Sequence, residues 1–219
     1  MNEDRIRNIY CVGRNYRLHA AELGNDVPDE PMIFMKPTHA LVPMKGQTLH
    51  VPYLPGELHY EAELVLHIGK PYERGIRVEE LVDRIALGID FTLRDVQTVL
   101  KKKGHPWLPA KGFLQSAPIT DFHPAPGPAA LQAACFSLEL DGKEVQRGAV
   151  SDMLFDLQQL VDYCAKHYGL GTGDIVYTGT PAGVGAVSDG GHLRLKWGEE
   201  AWGDCTVRYN GDNRQRGDA

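Results

Sequence analysis

The order of helical and extended segments limits the fold of this chain more than any other sequence feature. Only one long amphipathic helix is predicted, over Met153–Tyr168, where apolar residues recur at the spacing of a helix that buries one face. Most other apolar runs are short and are bounded by glycine or proline, which is typical of strands. Because helices and strands do not alternate regularly, a doubly wound parallel sheet is disfavoured and a β-rich α+β fold is predicted.

Two strands and one hairpin give the clearest local signals. The runs Glu61–Gly69 and Ile85–Thr92 are predicted as strands, because apolar residues dominate both of them. Asp141-Gly142 separates Cys135–Leu140 from Lys143–Ala149. An Asp-Gly pair between two extended runs predicts a type I′ hairpin turn.

The chain length predicts one domain. A chain of 219 residues can bury a core large enough to fold without disulfides. We expect a single catalytic domain over residues 1–209 and a disordered tail over the polar residues 210–219. Within the domain, His123–Pro128 contains too many prolines for a helix or a strand and is predicted as a surface connection.

Charge and cysteine usage argue against several classes of partner. The chain has 23 basic and 29 acidic residues, a net charge of −6, whereas nucleic acids and anionic membranes need a basic surface. None of the four cysteines forms a C-x-x-C pair, which argues against a thiolate zinc site and for a reducing compartment. No apolar run has the character of a secretory signal or a membrane span. A cytoplasmic location is therefore expected.

Three carboxylates are candidates for a metal site. Because alternate side chains of a strand share a face, Glu61 and Glu63 are expected on one face and Ala62 and Leu64 on the other, core-facing side. The two glutamates could bind one divalent cation or could simply lie on a solvated strand face. Asp90 ends an apolar run, where an unpaired carboxylate is costly to bury, although a turn or a helix N-cap would also explain it. Oxygen ligands without a nearby cysteine favour magnesium or manganese over zinc.

Two helical segments carry further polar candidates. His19 and Glu22 are three residues apart on a predicted helical turn. The carboxylate there could raise the basicity of the imidazole for water activation, or the two could form an ordinary surface pair. Arg94 and Gln97 belong to the basic helix predicted over Arg94–Lys103, which could attract an anionic substrate or form a solvated face.

Two loops complete the set of candidates. Lys111 lies between the proline-bounded segment Trp107–Pro109 and Gly112, where a rigid loop could aim its ammonium inward, or it could be a surface lysine. Tyr177–Gly185 is a glycine-rich turn without the motif of a phosphate loop or a dinucleotide fold. Its backbone N–H groups could bind a carboxylate, or the turn could be purely structural.

The order of these motifs resembles the fumarylacetoacetate hydrolase family, most closely its short acylpyruvase branch, which includes fumarylpyruvate hydrolases. The motifs in chain order are G-R-N-Y-x-x-H-x-x-E, F-M-K-P, H-x-E-x-E-L, D-x-T-x-R-D-V-Q, K-K-K-G-x-P-W and T-G-T-P-x-G-V-G. The similarity extends from about Arg7 to Tyr209. It implies a mixed β-sandwich roll that forms a homodimer.

The resemblance also implies a role for each candidate residue. Glu61, Glu63 and Asp90 match the family's metal ligands, His19 and Glu22 its water-activating dyad, Lys111 the lysine near the substrate carbonyl, and Arg14, Lys36, Arg94, Gln97 and Thr180 residues of the substrate pocket. The chain departs from the family pattern at two places. Leu114 stands where many members have aspartate, and Leu93 stands where alanine or serine is frequent.

The activity that the resemblance implies is hydrolysis of a carbon–carbon bond in a 2,4-dioxo acid. An acylpyruvate such as fumarylpyruvate would give pyruvate and a carboxylic acid, a reaction that suits aromatic compound breakdown. A magnesium or manganese ion would stabilise the enolate, His19 with Glu22 would activate water, and Lys111 would stabilise the oxyanion. Oxaloacetate decarboxylation or tautomerisation at the same site is the alternative that the sequence leaves open.

Overall fold

The computed structural model describes residues 5–22, 27–51 and 57–210, so the tail predicted over 210–219 lies outside the described residues except for Asn210. The strands are β1 (Ile9–Gly13), β2 (Met32–Lys36), β3 (Leu41–Pro43), β4 (Thr48–Val51), β5 (Leu58–Tyr60), β6 (Ala62–Ile68), β7 (Val82–Ile89), β8 (Thr92–Leu93), β9 (Ala117–Ile119), β10 (His123–Pro124), β11 (Cys135–Leu140), β12 (Lys143–Ala149), β13 (Ile175–Tyr177), β14 (Gly185–Ala186), β15 (His192–Trp197) and β16 (Glu200–Tyr209). The helices are α1 (Arg17–Glu22), α2 (Val78–Leu81), α3 (Arg94–Lys103), α4 (Leu108–Lys111), α5 (Pro128–Gln132) and α6 (Leu157–Tyr168). None of these helices is both long and apolar enough to cross a membrane.

The largest sheet carries the acidic strand at its centre. Seven of its eight strands follow the order β2-β1-β13-β6-β7-β9-β3, and the eighth, β10, pairs with β7 beside this path. Strand β6 pairs antiparallel with both β7 and β13, and each of its residues is buried. Both faces of β6 therefore pack against protein. The reading of Glu61 and Glu63 as a solvated face is wrong, since they are 5% and 1% exposed.

Two smaller sheets complete the β-rich fold. One has five strands in the order β12-β11-β15-β16-β4, and the other has three in the order β14-β5-β8. One apolar cluster joins Leu64 and Leu87 of the largest sheet to Leu138 and Leu195 of the five-stranded sheet. The sheets mix parallel pairs, such as β1 with β13, and antiparallel pairs, such as β6 with β7. The predicted β-rich α+β class is confirmed.

The hairpin prediction is confirmed in its bounds and its turn. Strands β11 and β12 pair antiparallel from Cys135 with Ala149 to Leu140 with Lys143. Asp141 and Gly142 have φ angles of 52° and 80°. A type I′ turn requires positive φ at both central residues, which Gly adopts freely and Asp tolerates better than most other residues.

Two other predictions need correction. Helix α6 begins at Leu157 rather than Met153, because Asp156 caps it: the Asp156 carboxylate accepts from the Gln159 N–H at 2.8 Å, and the Gln159 side chain accepts from the Asp156 N–H at 2.9 Å. The segment His123–Pro128 is not an irregular connection throughout. Its first two residues pair with the edge of β7, and Pro128 begins α5, where a helix does not need the missing N–H.

Candidate active site

Three buried carboxylates meet where neighbouring strands begin and end. Glu61 lies between β5 and β6, Glu63 lies in β6, and Asp90 follows β7 directly. The Asp90 N–H donates to the Glu61 carbonyl at 2.8 Å, and this bond holds the two chain segments together. One oxygen from each carboxylate lies within 4.8 Å of the other two. Asp90 is not the N-cap of α3, a position that Leu93 occupies.

Neighbouring charges shift the pKa values of Glu61 and Glu63 in opposite directions. Burial raises the pKa of Glu61, but the Lys111 ammonium and the Arg94 guanidinium outweigh it and hold that pKa well below its usual value. Burial also raises the pKa of Glu63, and the negative charges of Asp90 and Glu61 raise it further. A divalent cation would replace this repulsion with attraction to all three oxygens. The residues therefore fit a hard cation with oxygen ligands.

Lys111 is placed beside the carboxylates by a short helix rather than by a loop. Helix α4 ends at Lys111, whose backbone N–H donates to the Trp107 carbonyl at 3.0 Å. The Lys111 ammonium donates to Glu61 at 2.8 Å, Asp90 at 2.6 Å and the Thr92 hydroxyl at 2.6 Å. Only 3% of Lys111 is exposed, so it is not a surface lysine.

Most of the predicted site residues line one cavity. Those that do are Arg14, His19, Glu61, Glu63, Asp90, Arg94, Gln97, Lys111 and Thr180. Lys36 and Glu22 are not among the lining residues. The Lys36 ammonium lies 2.7 Å from an Asp90 oxygen and donates to the carbonyls of Phe91 and Lys111. Lys36 therefore supports Asp90 and the end of α4 without lining the cavity.

His19 reaches the cavity from helix α1. Its Nδ1 lies 3.5 Å from a Glu22 carboxylate oxygen, which is an ion-pair distance without a hydrogen bond. The Glu22 carboxylate accepts from the Gly183 N–H at 3.2 Å, so it connects α1 to the glycine-rich turn. Burial lowers the pKa of His19, and this effect exceeds the opposite influence of Glu61 and Glu22. The predicted rise in basicity is therefore outweighed, and burial favours the neutral imidazole of His19.

Gln146 is a site residue that sequence reasoning missed. This residue of β12 is 2% exposed. Its side-chain oxygen accepts from the Ala62 N–H at 2.9 Å, and its amide donates to the Thr180 hydroxyl at 2.8 Å. The Thr180 hydroxyl in turn donates to the Ala62 carbonyl at 2.9 Å. Gln146 thus joins the strand that carries the carboxylates to the glycine-rich turn, a contact that no local sequence signal marks.

Replacing Gln146 with leucine should lower both stability and catalytic efficiency. The change leaves the buried Ala62 N–H without an acceptor, which typically costs about 1–3 kcal/mol. Urea unfolding should report that loss, and kcat/KM should fall because the Thr180 hydroxyl loses the amide that donates to it. The exposed Lys143 of the same strand provides the control, since Lys143→Leu should change the unfolding free energy by less than about 0.5 kcal/mol. Equal stabilities of the Gln146→Leu and Lys143→Leu proteins would contradict the role of Gln146.

The residues of this site lie in a chain that matches the model of one protein family. The model described as "Fumarylacetoacetate (FAA) hydrolase C-terminal" matches residues 8–210. The chain belongs to the fumarylacetoacetate hydrolase family. The resemblance drawn from the motif order is confirmed, and with it the assignment of the chain to a family of enzymes with this fold.

Relatives of this chain are named for different activities. Oxaloacetate tautomerase YcgM of Escherichia coli (strain K12) is 38% identical over 193 residues, which cover 87% of this chain and 88% of that protein. The mitochondrial oxaloacetate decarboxylase of Dictyostelium discoideum is 37% identical over 187 residues, covering 84% and 85%. The structure of fumarylpyruvate hydrolase from Pseudomonas aeruginosa in complex with Mn²⁺ and pyruvate is 37% identical, with a TM-score of 0.84 over 94% of this chain and 91% of that one.

Proposed function

We propose that this chain is a divalent-metal-dependent enzyme that interconverts the keto and enol forms of oxaloacetate. The observation that carries the proposal is a buried His19, whose pKa is lowered by burial, in the same cavity as three carboxylates that fit a hard cation. Relatives named as acting on oxaloacetate support the choice of substrate. The proposal therefore prefers oxaloacetate tautomerisation, the alternative that the sequence left open, to hydrolysis of an acylpyruvate.

The chain's own side chains would hold the substrate and move one proton. Magnesium or manganese bound by Glu61, Glu63 and Asp90 would polarise the 2-oxo group and stabilise the enolate. Because Nδ1 of His19 faces Glu22, its Nε2 is left to accept a proton from C3 and return it to the 2-oxo oxygen. The net change moves one proton from carbon to oxygen, and no bond between heavy atoms breaks.

Two aromatic rings in the cavity lining would limit the access of water to this chemistry. Phe34 and Trp107 both line the cavity, with their ring centroids 5.8 Å apart. The Lys111 ammonium lies 5.0 Å from the Phe34 ring centre. An apolar wall strengthens the electrostatic interactions inside the cavity, because it replaces water next to the charges.

Hydrolysis of an acylpyruvate is the second candidate function. The likeness to a fumarylpyruvate hydrolase structure with Mn²⁺ and pyruvate favours it. In that reaction His19 would take a proton from water, and hydroxide would attack the distal carbonyl. The bond between that carbonyl carbon and C3 would then break to give a carboxylic acid and the enolate of pyruvate. A homodimer, a cytoplasmic location and the single domain over residues 1–209 stay predictions.

Removing divalent metal should abolish turnover, and adding it back should restore it. We expect the chelated protein to lose oxaloacetate tautomerisation, followed through the absorbance of the enol, and magnesium or manganese to recover it. Asp90→Asn should not recover at the same metal concentration, because it lacks one anionic ligand. Full activity of the chelated protein would rule out the metal site.

The same assays decide between the candidate activities. We compare kcat/KM for three reactions measured side by side. Two use oxaloacetate, its tautomerisation and its release of pyruvate. The third is the loss of acylpyruvate absorbance with fumarylpyruvate or acetylpyruvate. The highest value for tautomerisation would support the proposal. A higher value for an acylpyruvate would replace it with hydrolysis, and a higher value for pyruvate release would replace it with decarboxylation.

A further inference from the structure

One face of helix α3 extends the charged lining of the cavity beyond the carboxylates. Arg94, Gln97 and Lys101 follow one another at intervals of three and four residues, so they share one face of the helix. All three line the cavity, whereas Lys102 and Lys103 do not. The Arg94 guanidinium is already engaged, since it donates to Glu61 at 2.5 Å and to Gln97 at 2.8 Å. Lys101 is the next cation along this face of the helix.

Arg14 lines the same cavity from an unusual backbone conformation. Its φ of 57° lies in the left-handed region, which costs a residue other than glycine about 1–3 kcal/mol and is concentrated at functional positions. The next residue fixes this bend, because the Asn15 amide donates to the Thr178 carbonyl at 2.8 Å and its oxygen accepts from the Phe155 N–H at 2.8 Å. Within the described ranges, no hydrogen bond or ion pair joins Arg14 to a carboxylate.

The positively charged groups that line the cavity repel one another. Burial lowers the pKa of Lys101, and the charges of Arg14 and Arg94 lower it further. Such a concentration of positive charge is unusual in a chain with a net charge of −6. An anion between these groups would relieve their repulsion and would accept charge-assisted hydrogen bonds from them.

We propose that Arg14 and Lys101 form a subsite for a second carboxylate, which makes the enzyme selective for 2-oxo dicarboxylates over 2-oxo monocarboxylates. The inference rests on the proposed function, because it names the substrate class of the same cavity. A 2-oxo acid that presents its 1-carboxylate and 2-oxo group to the metal site leaves its far end for the cationic lining. Oxaloacetate has a carboxylate there, and acetylpyruvate has an uncharged methyl ketone.

The test compares two lysines of one helical turn. Lys101→Gln and Lys103→Gln each remove one positive charge from the last turn of α3, so their effects on the helix dipole are alike. Only Lys101 lines the cavity. A third protein, Arg14→Asn, removes the other cation with a residue that tolerates the left-handed conformation.

The readouts are a kinetic preference and a binding preference. The first is kcat/KM for oxaloacetate divided by that for acetylpyruvate. The second is the ratio of calorimetric affinities of the magnesium-loaded protein for 2-oxoglutarate and 2-oxovalerate, which differ by a carboxylate in place of a methyl group. Both ratios should fall by about 10-fold or more in Lys101→Gln and Arg14→Asn, because hydrogen bonds to charged groups contribute about 1.5–3 kcal/mol, and they should stay unchanged in Lys103→Gln.

Each outcome bears on the proposal. Ratios in Lys101→Gln that match wild type would overturn the subsite, and so would equal losses in Lys101→Gln and Lys103→Gln, which would indicate only a long-range charge effect. If wild type does not turn over oxaloacetate, but its binding preference is lost in Lys101→Gln, the subsite is supported and the proposed function is refuted. Turnover of oxaloacetate without any preference would do the reverse.

Discussion

Replacing Lys111 with methionine should destabilise the metal-free protein by roughly 3–5 kcal/mol, the usual result of removing one partner of a buried ion pair. Methionine fills a similar volume but donates no hydrogen bond. The buried oxygens of Glu61 and Asp90 would each lose a donor that now lies within 2.8 Å. Burial lowers the pKa of Lys111, but these two carboxylates raise it above its usual value, so the ammonium is charged at any pH of interest. Urea unfolding in the presence of a chelator measures the loss.

Magnesium should restore much of this stability. A cation that binds the folded protein and not the unfolded chain stabilises it, and here it also supplies the positive charge that Lys111→Met lacks. The deficit between the variant and wild type should therefore shrink at saturating magnesium. The exposed Lys143 is the matched control, since Lys143→Met should have a small effect under both conditions. A deficit in Lys111→Met that is the same with and without magnesium would contradict this account of the site.

Features set by short-range interactions were predictable from the sequence. The hairpin was one, because Asp141-Gly142 supplies the two positive φ angles that its turn requires. Helix α3 was another, and it ends where predicted because Gly104 adopts the left-handed conformation, with a φ of 65°, that terminates a helix. Strand alternation also predicted that the Glu61 and Glu63 side chains lie close together. It did not predict that both faces of β6 are buried.

Features set by sheet order could not be predicted in the same way. Lys36 meets the Phe91 carbonyl across 55 positions of the chain, and Gln146 meets Ala62 across 84. The neighbouring sequence predicts neither contact, because a lysine or a glutamine at a strand position is ordinarily expected to be exposed. Only the arrangement of the sheets brings these side chains next to residues of the site. The net lowering of the His19 pKa could not be predicted for the same reason, since it comes from burial by distant segments.

Replacing His19 with alanine should lower turnover by about 10²–10⁴-fold, which is the usual contribution of a general base. Metal binding should persist, because His19 is not among the three carboxylate residues that could hold the cation. His167→Ala, at an exposed position of α6, provides the control for loss of an imidazole. Turnover and calorimetric magnesium affinity are measured on both variants. A loss of magnesium affinity equal to the loss of turnover would show that His19 acts through the metal site rather than as a base.

The pH profile of kcat/KM separates a base from a residue that only fills space. Because burial lowers the pKa of His19, the acid limb of the wild-type profile should lie below the usual histidine value of about 6.5. The imidazole accepts a proton only when it is neutral, so activity should fall as pH drops through that pKa. His19→Ala should lack this limb, and added imidazole should partly restore both the rate and the limb with its own pKa. An acid limb that is the same in wild type and His19→Ala would assign the titration to another group and would falsify the assignment of His19 as the base.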